Sequence, residues 1–170
     1  CITAFSRDLG IIEDKAEFVA SDGLHKAYFE MQNLVCLKMQ DVNSIEEYPV
    51  YSYLYTGSPH YVSFVKDVKL IDVFNEGKKI RYSDKFKPEG TNVNFVSIHS
   101  NGLAVRTYER GFEDETFSCG TGSVAAAIAW FMRSDKKNKT IAISTMGGEL
   151  EVSFKTKDQQ FTDIYLKGPA

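Results

Sequence analysis

The alternation of apolar and polar positions divides this chain into many short runs and one long apolar run. Residues 123–131, Ser-Val-Ala-Ala-Ala-Ile-Ala-Trp-Phe, carry no polar stripe. A helix that is apolar on every side is a buried one. A second helix is expected over residues 70–81. The chain opens on what reads as the back half of a helix, stopped at Gly10. The remaining apolar runs are short and rich in β-branched and aromatic residues, and predict strands at 17–20, 24–31, 33–39, 51–55, 61–64, 92–98, 103–109, 140–145, 149–154 and 162–167. Asn101-Gly102 is a strong two-residue hairpin signal and joins two of them. Thr56-Gly57-Ser58-Pro59-His60 and residues 133–139 read as loops.

This order contains a repeat. Helix end, polar loop, strand, glycine turn and strand occur twice, with Asp14–Ser21 parallel to Asn138–Thr145. On that reading the first copy is shortened, and the counterpart of Cys119 falls about six residues before Cys1.

Composition narrows the function. With 170 residues, 43% hydrophobic and 25% charged, the chain can build a real core in one or two domains. A net charge of −3 gives no nucleic-acid footprint, and no apolar run has the length of a membrane span. Three cysteines without paired spacing argue against a disulfide framework and for a reducing, cytoplasmic setting. There is no spacing typical of zinc ligands and no nucleotide-binding glycine motif, so neither metal nor cofactor is expected.

The chemistry concentrates in Glu109-Arg110-Gly111 and Thr116-Phe117-Ser118-Cys119-Gly120-Thr121-Gly122. Glycines here let backbone N–H groups come close to a ligand. The first turn of the apolar helix leaves such groups unpaired and favours an anion. Cys119 stands at the same place, where the field of the helix is expected to lower its pKa and make it reactive. The bland alternative is an inert buried cysteine. For Glu109 and Arg110 it is a solvated charge pair at a hairpin end, and for His60 a structural or exposed loop histidine. Cys36, between Val35 and Leu37, reads as core-facing. Cys1, His25 and His99 have no partner motif.

The stretch ERGFEDETFSCGTGSVAAAIA resembles the second cysteine motif of the diaminopimelate epimerases, cofactor-independent amino-acid epimerases. TGSPH resembles that family's Gly-Asn-Pro-His loop, GTNVNFV its asparagine-bearing strand, and MGGELEVSF and LKGPA its closing strands. CITAFSRDLG resembles the helix that follows the family's first motif, Cys-Gly-Asn-Gly. The resemblance implies an α/β (α+β) fold whose strands curl around a central helix. Residues 1–42 would be the remainder of a first pseudo-symmetric half, and residues 43–170 a second half carrying Cys119. It implies interconversion of L,L- and meso-diaminopimelate by two opposed acid–base groups, in lysine and peptidoglycan-precursor synthesis, by a homodimer. Cys119, Glu109 and His60 take the catalytic positions. Asn92 (with Asn94 as the nearby alternative), Arg110, Gly120, Thr121 and Ser58 take the substrate-binding ones. Ser58 stands where the family usually has asparagine. This chain alone is expected to be inactive, for want of the opposing cysteine. A proline-racemase-like enzyme shares Cys-Gly-Thr-Gly but has Asp-Arg-Ser-Pro ahead of it, which is absent here. A non-catalytic carboxylate-binding module is the reading from another class, and a cysteine hydrolase lacks an evident base.

Overall fold

The computed structural model describes residues 2–20, 23–31, 33–135 and 138–169. The long apolar run forms helix α3 (Gly120–Arg133). Residues Val124 to Ala129 in its middle have no exposed surface. No single flat layer can cover all sides of a helix, so a curved one is needed. Among the described residues twelve strands form one sheet that supplies it.

These strands are β1 (Lys15–Ala20), β2 (Gly23–Met31), β3 (Leu34–Lys38), β4 (Ile45–Glu47), β5 (Ser52–Tyr55), β6 (Pro59–Phe64), β7 (Asn92–His99), β8 (Gly102–Glu109), β9 (Asp114–Thr116), β10 (Thr140–Thr145), β11 (Gly148–Lys157) and β12 (Gln160–Pro169). Their spatial order is β1-β2-β3-β12-β11-β10-β8-β7-β6-β5-β4, with β9 beside β8. Pairs β6–β7 and β8–β10 are parallel and the others antiparallel. Helix α3 touches β5 to β8 and β10 to β12, so the sheet curls around it. The expected α+β architecture, a sheet wound around a central helix, is what the structure has.

Half of the order reads the same in both directions. β1-β2-β3 is mirrored by β10-β11-β12, and β3 pairs antiparallel with β12. In each copy the first two strands form an antiparallel pair, with Ala20 opposite Gly23 and Thr145 opposite Gly148. Each follows a helix, α1 (Ile2–Asp8) or α3. The repeated sequence order is therefore a repeated structure. Residue 42, the expected boundary, lies just past β3. There Val42 and Phe161 exchange backbone hydrogen bonds of 2.9 and 2.8 Å, and the sheet is continuous across it.

The main core gathers Val124, Ile128 and the helix alanines with Val62, Val96, Val105, Ile143, Val152, Phe161 and Ile164. A smaller core on the other side of β7 and β8 holds Val68, Val73, Val93, Phe95 and Tyr108 under helix α2 (Val73–Arg81). Gly77 lets α2 lie close, since a Cβ there would stand 2.3 Å from the Tyr108 Cβ.

The structure departs from the sequence reading at several places. Helix α2 starts at Val73 because Asp72 caps it, accepting from the Asn75 N–H at 3.1 Å; the residues before it form a separate 3₁₀ turn, Val68–Leu70, capped by Asp67. Strands β4 and β9 were not expected. His60 lies in β6 and not in a loop: a proline is tolerated at the first position of a strand, and β6 begins at Pro59. Cys36 is buried, as expected of a core-facing residue, but on the sheet face away from α3. It shares a sheet row with Tyr28 and Lys167, while Ala27, Leu37 and Leu166 line the α3 side. Ser21 and Asp22 of the expected turn, Lys136 and Lys137 of the basic loop, and Cys1 lie outside the described residues. Among the described residues no helix is long and apolar enough to cross a membrane.

Candidate active site

The inner face of β6, β7 and β8 is apolar along most of its length and polar at one end. Strand register makes it so. His60 pairs with Asn92, and Asn94 lies opposite Val62 on one side and Thr107 on the other. Residues two apart share a face, so Asn92 and Asn94 both point toward the start of α3. Cys119 is the N-cap residue of α3, in extended conformation, with no capping bond from its side chain. The Ser123 N–H and hydroxyl both bond the Cys119 carbonyl, at 2.9 and 3.0 Å. The Gly147 N–H, from the β10–β11 turn, holds the Phe117 carbonyl at 2.7 Å and steadies the approach to the helix.

The structure brings the predicted site residues together. Ser58 Oγ lies 3.0 Å from His60 Nε2, 3.4 Å from Thr121 Oγ1 and 3.1 Å from Asn92 Nδ2. Thr121 Oγ1 lies 3.5 Å from Cys119 Sγ. Asn92 Oδ1 accepts from the Arg110 backbone N–H at 2.9 Å, and the Arg110 guanidinium donates to the Glu89 carbonyl at 3.2 Å. Glu109 accepts from the Thr116 hydroxyl at 2.9 Å. Gly120 opens the helix.

Two electrostatic results stand out. The Cys119 thiol is pushed up from its ordinary range, chiefly by burial and then by the Glu109 carboxylate. The Thr121 hydroxyl and the N–H groups of Gly122 and Thr121 pull the other way and do not win. This overturns the expectation of a lowered thiol pKa: a helix start acts through the depth at which it is buried as well as through its N–H groups. Burial likewise pushes His60 down to about 3, so its ring is neutral near pH 7. The Cys36 thiol is raised too, by burial first.

Some contributors escaped the sequence reading. Thr107 donates to Asn94 Oδ1 at 2.9 Å, and Thr56 donates to the Thr121 carbonyl at 3.0 Å. Only the pairing of β7 with β8 brings Thr107 beside Asn94. Gly122 is the third: a Cβ on it would stand 2.4 Å from Asn94 Oδ1 and 3.3 Å from Cys119 Sγ. The repeated glycine after Cys119 was the available signal. Among the described residues no group of His, Cys, Asp and Glu is gathered as a metal site.

The arrangement offers a buried thiol at a helix N-cap with a hydroxyl 3.5 Å from its sulfur, the Glu109 carboxylate that acts on it, and the more exposed Arg110 guanidinium. Such a site can bind a carboxylate and move a proton at a neighbouring carbon.

Comparison with known proteins places the chain in a family. Among solved structures the fold resembles a hydroxyproline epimerase from Agrobacterium vitis, with a TM-score of 0.68 at 15% identity, over 99% of this chain and 62% of that one. It also resembles a PhzF-family phenazine biosynthesis protein from Bacillus anthracis, at 0.71 and 11%, over 98% and 70%. The sequence is 46% identical to the diaminopimelate epimerase of Flavobacterium psychrophilum, over 100% of this chain and 67% of that protein. It is 34% identical to that of Aquifex aeolicus, over 99% and 63%. The chain thus spans about two thirds of the length of these curated relatives. The family profile described as diaminopimelate epimerase matches residues 52–170, which include every site residue named above. The chain belongs to the diaminopimelate epimerase family, a family of isomerases.

Proposed function

We propose that the intact protein interconverts L,L- and meso-diaminopimelate by two-base proton transfer without a cofactor, in lysine and peptidoglycan-precursor synthesis. The observation that carries this reading is the buried Cys119 sulfur at the N-cap of α3, 3.5 Å from the Thr121 hydroxyl. A substrate carboxylate against the N–H groups of Gly120 and Thr121 would draw charge from the adjacent α-carbon as its proton leaves. Arg110 would hold a second carboxylate through its planar fork. Cys119, kept as a thiol by burial and Glu109, gives its proton to one face of the carbon. The opposing group takes the α-proton from the other face, and the carbon keeps the electron pair of the broken bond only until Cys119 supplies its proton. The resulting thiolate is held by the Thr121 hydroxyl, 3.5 Å from the sulfur. In the reverse direction the roles exchange. His60 is wholly buried and works through Ser58. This chemistry needs a reduced Cys119, which fits a cytoplasmic setting, and the family resemblance implies a homodimer.

The test is incubation with L,L-diaminopimelate in D₂O. The intact protein is expected to release meso product with deuterium at the inverted carbon; no meso product sinks the reading. Among the described residues no second thiol faces Cys119, since Cys36 lies in the sheet row of Tyr28 and Lys167. A polypeptide of these 170 residues alone is therefore expected to exchange the α-proton with retention. Appreciable meso product from it would overturn the division of labour between two groups.

Arg110→Lys in the intact protein keeps the charge and loses the fork. A hydrogen bond to a charged group contributes about 1.5–3 kcal/mol, so kcat/KM is expected to fall about 10- to 100-fold. An unchanged ratio places Arg110 outside the site.

A further inference from the structure

We infer that Ser58 is a positioning residue for Cys119: its hydroxyl is fixed as a donor toward Thr121, and so turns the Thr121 hydroxyl onto the Cys119 sulfur. The direction of each bond follows from groups that can act in one sense only.

The chain of constraints starts at Asn94. Its Nδ2 donates to the Tyr61 carbonyl at 2.9 Å, and a carbonyl only accepts. Its Oδ1 accepts from Thr107 Oγ1 at 2.9 Å. The amide is therefore held with Nδ2 toward His60 Nδ1, at 3.0 Å. A neutral imidazole has one N–H, and burial keeps this ring neutral. Since Nδ1 accepts from Asn94, the proton is on Nε2 and is donated to Ser58 Oγ, at 3.0 Å.

Asn92 adds the second constraint. Its Nδ2 donates to the Pro59 carbonyl at 3.0 Å, which fixes this amide as well, and to Ser58 Oγ at 3.1 Å. A hydroxyl accepts two hydrogen bonds and donates one. Ser58 already accepts two. Its remaining neighbour is Thr121 Oγ1 at 3.4 Å, and its hydrogen goes there. Thr121 then accepts from Ser58 and cannot donate back. Its own hydrogen goes to Cys119 Sγ at 3.5 Å. A donor aimed at sulfur favours the thiolate over the thiol.

The other groups facing the sulfur do not replace this one. Glu109, from the end of β8, acts in the opposite sense. His60, from β6, is neutral, and the first turn of α3 holds no acidic residue. The Thr121 hydroxyl is therefore the side-chain donor available when Cys119 has given up its proton. Asparagine at position 58 can satisfy the same geometry, accepting through Oδ1 and donating through Nδ2, whereas alanine cannot.

The effect on turnover rests on the function proposed above; the effect on the thiol does not, and the thiol is what the test reads. Cys119 of the intact protein is alkylated with iodoacetamide across pH and resolved by mass spectrometry, with no substrate present. S58A leaves the Thr121 hydroxyl present but no longer held toward the sulfur, so the midpoint is expected to move up by a measurable fraction of about one unit, the worth of a whole hydrogen bond to a charged group. S58N is expected to keep the midpoint of the parent protein. An unmoved midpoint in S58A, or one moved equally in S58N, overturns the inference. Should S58A fail to fold, the Thr121 pair decides. T121V moved up with T121S unmoved supports the relay, and T121V unmoved overturns it.

Discussion

Cys119→Ala in the intact protein is expected to lower kcat/KM for epimerisation by about 10²–10⁴-fold, the usual worth of a positioned acid–base group, while the fold survives. The Cys119 side chain makes no capping bond to α3, and the cap it does provide, through its carbonyl to Ser123, is backbone. Alanine removes one sulfur atom at the mouth of the site and nothing that holds the helix. Thermal denaturation should therefore move little while the rate collapses. Cys36→Ala is the control: it empties a comparable volume beside Tyr28, on the sheet face turned away from the start of α3, and should leave the rate alone. A rate in C119A within a few-fold of the parent protein would falsify the proposed role of the sulfur.

Gly122→Ala is expected to have the next largest effect, although the change is one methyl group. Its Cβ would stand 2.4 Å from Asn94 Oδ1. Asn94 cannot step aside cheaply, because Thr107, Tyr61 and His60 hold its amide on three sides. Either this network breaks or the helix start moves away from it. Overpacking of this kind typically costs about 1–3 kcal/mol of stability. A shift of about 1 Å at the reacting group can cost about 100-fold in rate. Both the denaturation midpoint and kcat/KM should fall. Parent-like values of both would mean that the helix start has slack which the hydrogen-bond geometry does not suggest.

Much of the fold was legible in local pattern. The apolar run of α3, the Asn-Gly hairpin between β7 and β8 and the twin hairpins of the repeat each rest on neighbouring residues. What escaped depends on partners distant in sequence. Ile45–Glu47 and Asp114–Thr116 are three residues each, too short for alternation to register, and become strands only beside β5 and β8. The face of Cys36 is set by its pairing with Tyr28 and Lys167, the latter from the far end of the chain. At the site, residue identities were readable and their environment was not. A helix start with glycines indicates N–H donors. It does not indicate how deeply the sulfur lies, and that depth reversed the direction of the thiol shift. His60 fell in a predicted loop, and the strand that buries it depends on pairing with Asn92.

The enclosure of α3 has a further result. A helix half in water finds its rotation about its own axis from the boundary between wet and dry sides. α3 has no such boundary along Val124 to Ala129, where every residue is equally out of solvent. Its angular setting has to come from shape. Val124 and Ile128 are one turn apart and form a raised ridge on one side, while Ala125, Ala126, Ala127 and Ala129 leave the other sides low. The ridge works as a key in the uneven bore of the curled sheet. Since Cys119 sits at the end of the same rod, the order of large and small residues deep in the core decides the compass bearing of the sulfur. Exchanging an alanine with a valine along this segment would preserve its hydrophobicity and its volume and still turn the reactive atom away from its target.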